Sequence, residues 1–247
     1  MSYQKEYRES IDQPEVFWGR QAELISWFEK PKKILTQDEK GAYHWFEGGK
    51  LNTSFLALDY HVENERADQT ALIYDSPVTE TVRRYSFQEL RDEVSKFAGV
   101  LREKGIEKGD RVIIYMPMIP EAVMAMLACA RLGAIHSVVF GGFAPNELAI
   151  RIDDAKPKAL VTASCGIELT NIIQYKPLVD EALRIAKHPP SNVILLQRPQ
   201  SKASMQEGRD LDWEELMSSA KPVEPVSVDS TDPLYILYTS GTTGLPK

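Results

Sequence analysis

Arg111-Val-Ile-Ile-Tyr115, Pro120-Glu-Ala-Val-Met-Ala-Met-Leu-Ala-Cys-Ala-Arg-Leu-Gly133 and Ile135-His-Ser-Val-Val-Phe140 follow one another within 30 residues. The first and third runs are apolar almost throughout, as a strand covered on both faces must be. The middle run has proline at its start, where a missing N–H costs nothing, and glycine at its stop. Apolar strands separated by helices predict an α/β fold, a mostly parallel sheet flanked by helices on both faces. Such sheets bind ligands beyond the carboxyl ends of their strands.

The pattern extends both ways. Upstream, Ala71–Tyr74 reads as a strand, and Ser86-Phe-Gln-Glu89 is a capping box opening a helix with Phe87, Leu90, Val94, Phe97 and Leu101 on one face; Gly105 supplies the stop. Downstream, helices are predicted over 146–154, 177–187 and 213–217, and strands over 158–162, 192–196 and 234–238. Residues 197–208 and 221–232 are polar, rich in Ser and Pro, and read as linkers. Residues 1–65 stand apart. Val16, Phe17, Leu24, Ile25, Trp27 and Phe28 recur at roughly helical spacing up to Pro31, and predict an aromatic-rich extension packed on the main domain, residues 66–247.

Composition excludes several classes. The chain of 247 residues is 43% hydrophobic with a formal charge of −7, unlike a general nucleic-acid binder. The apolar run after Glu121 breaks at Arg131, short of the roughly 20 residues that span a membrane. The charged N-terminus reads as no signal peptide, and the cytoplasm is the expected compartment. Cys129, in an apolar helix, reads as a buried hydrophobe. Cys165, in a Ser-Cys-Gly turn, reads as an inert loop residue, with a reactive thiol as the alternative. His44, His61, His136 and His188 show no metal-ligand spacing, and Asp153-Asp154 reads as solvated charge.

The chain closes on Tyr238-Thr-Ser-Gly-Thr-Thr-Gly-Leu-Pro-Lys247. Gly241 and Gly244 let backbone N–H groups approach a polyphosphate, the hydroxyls of Thr239, Ser240, Thr242 and Thr243 rotate to meet its oxygens, and Lys247 brings a mobile charge. A solvated turn is the plainer alternative. A Walker A loop fits poorly, because Pro246 stands at its second glycine and removes an N–H.

This loop resembles the signature of the adenylate-forming superfamily of acyl-CoA synthetases, luciferases and peptide-synthetase adenylation domains. Phe140-Gly-Gly-Phe143 with Arg151-Ile152, Tyr175-Lys-Pro-Leu-Val-Asp-Glu-Ala182, Glu207-Gly-Arg-Asp210 with Trp213, and Asp232-Pro-Leu-Tyr-Ile-Leu-Tyr-Thr-Ser240 resemble its short-chain branch, the acetyl- and propionyl-CoA synthetases. The N-terminal extension resembles one particular to that branch. Ser164-Cys-Gly-Ile-Glu168 and the Gly-Leu-Pro-Lys ending lean toward propionate over acetate.

The resemblance implies ATP-dependent ligation in two half-reactions. The acid attacks the α-phosphate of Mg-ATP to give acyl-adenylate and pyrophosphate; the CoA thiol then displaces AMP. Thr239, Ser240, Gly241, Thr242, Thr243, Gly244 and Lys247 are the implied ATP and pyrophosphate contacts. Glu168, Leu169, Thr170 and Asn171 match the segment that meets the 3′-phosphate end of CoA, but Asn171 stands where arginine is expected. Arg151 or Lys176 would compensate, unless both are surface ion-pair residues. The adenine, ribose, Mg²⁺ and acyl-pocket residues and a mobile C-terminal domain come later in the family. The chain is therefore expected to be an incomplete large domain, inactive alone, that needs the remaining C-terminal part. Acetate, a larger acid or an amino acid as substrate, and a nucleotide- or polyphosphate-binding module without catalysis, are the competing readings.

Overall fold

The computed structural model describes residues 2–239. Helices α1 (Tyr3–Asp12) and α2 (Pro14–Ala22) precede the hairpin β1 (Leu35–Gln37)–β2 (Tyr43–Trp45) and the short β3 (Lys50–Leu51). The chain continues through β4 (Thr70–Ser76), β5 (Thr81–Ser86), α3 (Phe87–Glu103), β6 (Arg111–Tyr115), α4 (Pro120–Leu132), β7 (Ile135–Val138) and α5 (Pro145–Ala155). It ends with β8 (Ala159–Ala163), β9 (Cys165–Glu168), β10 (Asn171–Gln174), α6 (Tyr175–Ile185), β11 (Asn192–Leu196), β12 (Asp210–Asp212), α7 (Trp213–Ser219) and β13 (Val228–Asp229).

The central sheet has the order β12-β11-β8-β6-β7, every pair parallel. Side-chain alternation divides its residues between two cores. Val112, Ile114, Val161 and Ile194 face α3, α4 and Trp213 of α7, whereas Ile113, Tyr115, Leu160 and Val193 face α5 and α6. The helix signals act as read. Ser86 Oγ accepts from the Glu89 N–H at 3.1 Å while Glu89 Oε2 accepts from the Ser86 N–H at 2.8 Å. Gly133 ends α4 at φ 68°, in the left-handed region.

Several expectations need correction. The strand over 71–74 exists, but it pairs antiparallel with β5 outside the parallel sheet; β5 escaped notice because Thr81-Val-Arg-Arg-Tyr-Ser86 is mostly exposed and carries two arginines. The strand predicted over 234–238 shrinks to a single parallel bridge between Tyr235 and His136. Ile236 packs on the core, but Tyr235 and Leu237 face outward uncovered, so nothing holds a full ladder. Cys165 is no loop residue: it lies on β9, fully buried. The N-terminal helix stops at Ala22, well before Phe28, where Trp27 Nε1 donates to the Ala22 carbonyl at 2.8 Å and turns the chain back.

Residues 221–232 are no linker either. They form a strap across α3 and α4, with Val223 and Val226 donating through their N–H groups to Ser95 and Arg131 carbonyls at 3.1 and 2.9 Å. A Cβ on Gly99 of α3 would lie 1.9 Å from the Lys221 carbonyl oxygen, so glycine at mid-helix lets the strap lie down. Arg131 closes the joint. Its Nε donates to the Val223 carbonyl at 2.6 Å, and its two Nη groups meet Asp59 at 2.7 and 2.9 Å. Beside it, Asn52 Nδ2 donates to the carbonyls of Ala130, Arg131 and Val226.

Candidate functional site

The carboxyl ends of the strands open into a cleft of about 600 Å³. Its walls are Met116–Ile119 after β6, Val138–Gly142 from the last residue of β7 onward, the β9–β10 hairpin, and Tyr74 and Ser76 of β4. Two buried tyrosines hold the Gly-Gly turn by its carbonyls. Tyr175 donates to the Gly141 carbonyl at 2.6 Å, Tyr115 to the Phe143 carbonyl at 3.0 Å, and their rings lie 5.1 Å apart. Burial pushes both phenols up, Tyr175 to about 12, so each stays a donor. A Cβ on Gly141 would sit 2.3 Å from the Tyr175 hydroxyl, and one on Gly166 2.6 Å from its ring. Glycine at both positions is therefore what seats Tyr175 between the two loops.

Glu168, Leu169, Thr170 and Asn171 come together in one exposed turn, with Glu168 paired to Asn171 across it. Leu169 takes φ 54°, uncommon for a residue with a branched side chain, and is 82% exposed. Of the four, Glu168 lines the cleft. Neither proposed compensating cation is a surface residue. Arg151 is paired with Glu147 at 2.8 Å and stacks over Phe143, and Lys176 is buried against Asp180 and Asp210 at 2.6 and 2.8 Å.

Of the phosphate loop, Ser240, Gly241, Thr242, Thr243, Gly244 and Lys247 lie outside the described residues; Thr239 is within them and exposed. The approach to the loop is well defined. After the bridge at Tyr235, the Tyr238 hydroxyl donates to Asp154 Oδ2 at 2.6 Å, and the Arg151 guanidinium lies 5.4 Å from the Tyr238 ring. Asp153 accepts the N–H groups of Lys187 and His188. Each acid thus anchors a length of chain, Asp154 while still exposed to water. On β7, burial pushes His136 down to about 4, and its Nδ1 is buried without a hydrogen-bond partner.

Sequence reasoning overlooked Arg198, which is 8% exposed and lines the cleft. It falls inside the polar stretch 197–208 that reads as a linker. Its place two residues beyond the apolar run 192–196, at a strand's carboxyl end, was the available signal.

Comparison with known proteins agrees with this architecture. A family profile described as AMP-binding enzyme matches residues 58–247, and one described as acetyl-coenzyme A synthetase N-terminus matches residues 3–57. The chain is 53% identical over 246 residues to the mitochondrial acyl-CoA synthetase short-chain family member 3 of Mus musculus, covering 99% of this chain and 36% of that protein. It is 45% identical over 255 residues to the acetyl-coenzyme A synthetase of Shewanella denitrificans, covering 100% of this chain and 39% of that one. The solved acetoacetyl-CoA synthetase from Streptomyces lividans superposes with a TM-score of 0.89 at 30% identity, over 100% of this chain and 38% of that chain. The chain therefore spans 36–39% of the length of these relatives. With the profile covering residues 58–247, the chain belongs to the AMP-binding enzyme family.

Proposed function

We propose that this chain forms part of an ATP-dependent, AMP-forming acid–CoA ligase whose acid is propionate. The observation that carries the reading is the cleft at the carboxyl edge of the parallel sheet. Apolar and aromatic groups (Met116, Met118, Val138, Phe140) line its length and a guanidinium, Arg198, sits on its wall, a combination suited to a long co-substrate such as CoA, with an apolar arm and an anionic end. Residues 1–65 serve as the N-terminal extension and residues 66–247 as the first part of the adenylation domain. Thr239, Ser240, Gly241, Thr242, Thr243, Gly244 and Lys247 hold the pyrophosphate of ATP, and Glu168 to Asn171 border the CoA nucleotide. The work at this edge is positioning and charge neutralisation. Among the described residues no group of three His, Cys, Asp or Glu side chains gathers, and no ligand set is assigned to the Mg²⁺ that accompanies ATP.

Because the chain spans 36–39% of its relatives, we propose that it completes neither half-reaction by itself. The decisive measurement is acid-dependent exchange of pyrophosphate into ATP, made on the full polypeptide and on residues 1–247. The expected result is exchange by the former with propionate preferred over acetate, and none by the latter. Absence of exchange with every short-chain acid would sink the ligase reading. Equal or better kcat/KM for acetate favours the second reading, supported by the 45% identity to an acetyl-coenzyme A synthetase. No described helix is long and apolar enough to cross a membrane. The cytoplasm is the compartment proposed, with the mitochondrial name of the mouse relative marking the alternative.

A further inference from the structure

Four cationic side chains are buried among the described residues: Arg131, Arg151, Lys176 and Arg198. Three are neutralised, Arg131 by Asp59, Arg151 by Glu147, and Lys176 by Asp180 and Asp210. Arg198 is not. Among the described residues no carboxylate comes within 4.0 Å of it, and its guanidinium makes one hydrogen bond, from Nη1 to the Cys165 carbonyl at 3.0 Å. Its backbone N–H donates to Ser164 Oγ at 2.8 Å. The group is thus fixed in place at the root of the β9–β10 hairpin with most of its donors unspent. A buried cation without a counter-charge is costly, and a fold that keeps one there gains from an incoming anion.

The surroundings say what kind of anion fits. Arg198 lines both the large cleft and an adjoining one of about 270 Å³, whose wall carries a second cation, Arg83, lying 4.3 Å over the Tyr85 ring. Glu121 and Glu214 also line the smaller cleft. Burial holds Glu121 above the usual carboxylate range, while the charges of Arg83 and Arg198 pull it back down from beyond ion-pair distance. A planar guanidinium with free donors matches a phosphate monoester in a bidentate contact.

We infer that Arg198 seats the terminal nucleotide phosphate of CoA and replaces the arginine missing at Asn171, an assignment that rests on the CoA reading of the cleft. The two cations first considered for that task, Arg151 and Lys176, are already spent on carboxylates.

The test uses the full polypeptide, with steady-state kinetics and calorimetric titration of CoA and 3′-dephospho-CoA. Arg198→Gln is expected to raise KM and Kd for CoA about tenfold to a hundredfold. It leaves kcat, 3′-dephospho-CoA binding and acid-dependent pyrophosphate exchange within about twofold of the parent, and Arg198→Lys recovers part of the loss. Unchanged CoA affinity, or an equal loss for both forms of CoA, overturns the assignment. So does a variant that melts early while the Arg198→Lys protein fails to discriminate CoA from its dephospho form, because Arg198 then answers a carboxylate of the chain. A parent that shows no acid-dependent exchange yet binds CoA in an Arg198-dependent manner refutes the ligase reading and leaves the phosphate seat standing.

Discussion

At Arg131 every donor that faces a partner is spent: Asp59 takes two hydrogen bonds, the Val223 carbonyl a third, and Asn52 stitches the same joint through three more carbonyls. At Arg198 one donor is spent and the rest look into a cleft. Both side chains are buried to a similar degree. Burial therefore does not separate architecture from ligand handling in this molecule; the state of the counter-charge does. The first arginine joins residues distant in sequence into one body. The second waits on something that the described residues do not supply.

The largest expected effect lies at the Arg131–Asp59 pair. Asp59→Ala leaves Arg131 buried and unpaired and is expected to cost about 3–5 kcal/mol in urea unfolding. The double change Asp59→Leu with Arg131→Met should recover most of that, and failure to recover would mean that the pair does more than neutralise itself.

His136 sharpens the contrast, being an unpartnered buried group that titrates. The unfolded chain takes up its proton near 6.5 and the fold only at about 4, so the fold favours the neutral ring. Stability should then fall as pH drops from 6.5 toward 4, by roughly 3 kcal/mol, and level off below. His136→Asn flattening that slope in pH-dependent denaturation is the check.

Gly99→Ala drives a methyl against the Lys221 carbonyl and is expected to cost about 2 kcal/mol, with faster proteolysis within residues 221–232. Tyr175→Phe, on the cleft side, loses one hydrogen bond to Gly141 and about 1 kcal/mol. Its larger effect is expected in the KM for CoA, through a loosened Gly-Gly turn.

The parts legible in the sequence were those specified by neighbours in the chain. The capping box at Ser86 and Glu89, the proline and glycine that bound α4, and the apolar runs of β6, β8 and β11 each carry their signal within a few residues. The strap was misread because its order comes from partners far away: Val226 looks like linker until Arg131 and Asn52 are placed beside it. The candidate CoA segment was picked out by resemblance and not by any turn signal, and nothing local marked Arg198, whose meaning lies in the carboxylate it lacks. Arg151 and Lys176 were weighed as phosphate partners for the opposite reason. Their charges are plain in the sequence, and the carboxylates that consume them include Asp210, 34 positions along the chain from Lys176.

Asn52 has a consequence for how the protein is made. The carbonyls it satisfies lie 78, 79 and 174 positions further along the chain. At a synthesis rate of about 5–20 residues per second, the last of these emerges roughly 10–35 s after Asn52 itself. During that interval the N-terminal segment has no finished surface to join. It must stay exposed to the surrounding medium, and to any chaperone or protease there, until residue 226 arrives to close the joint.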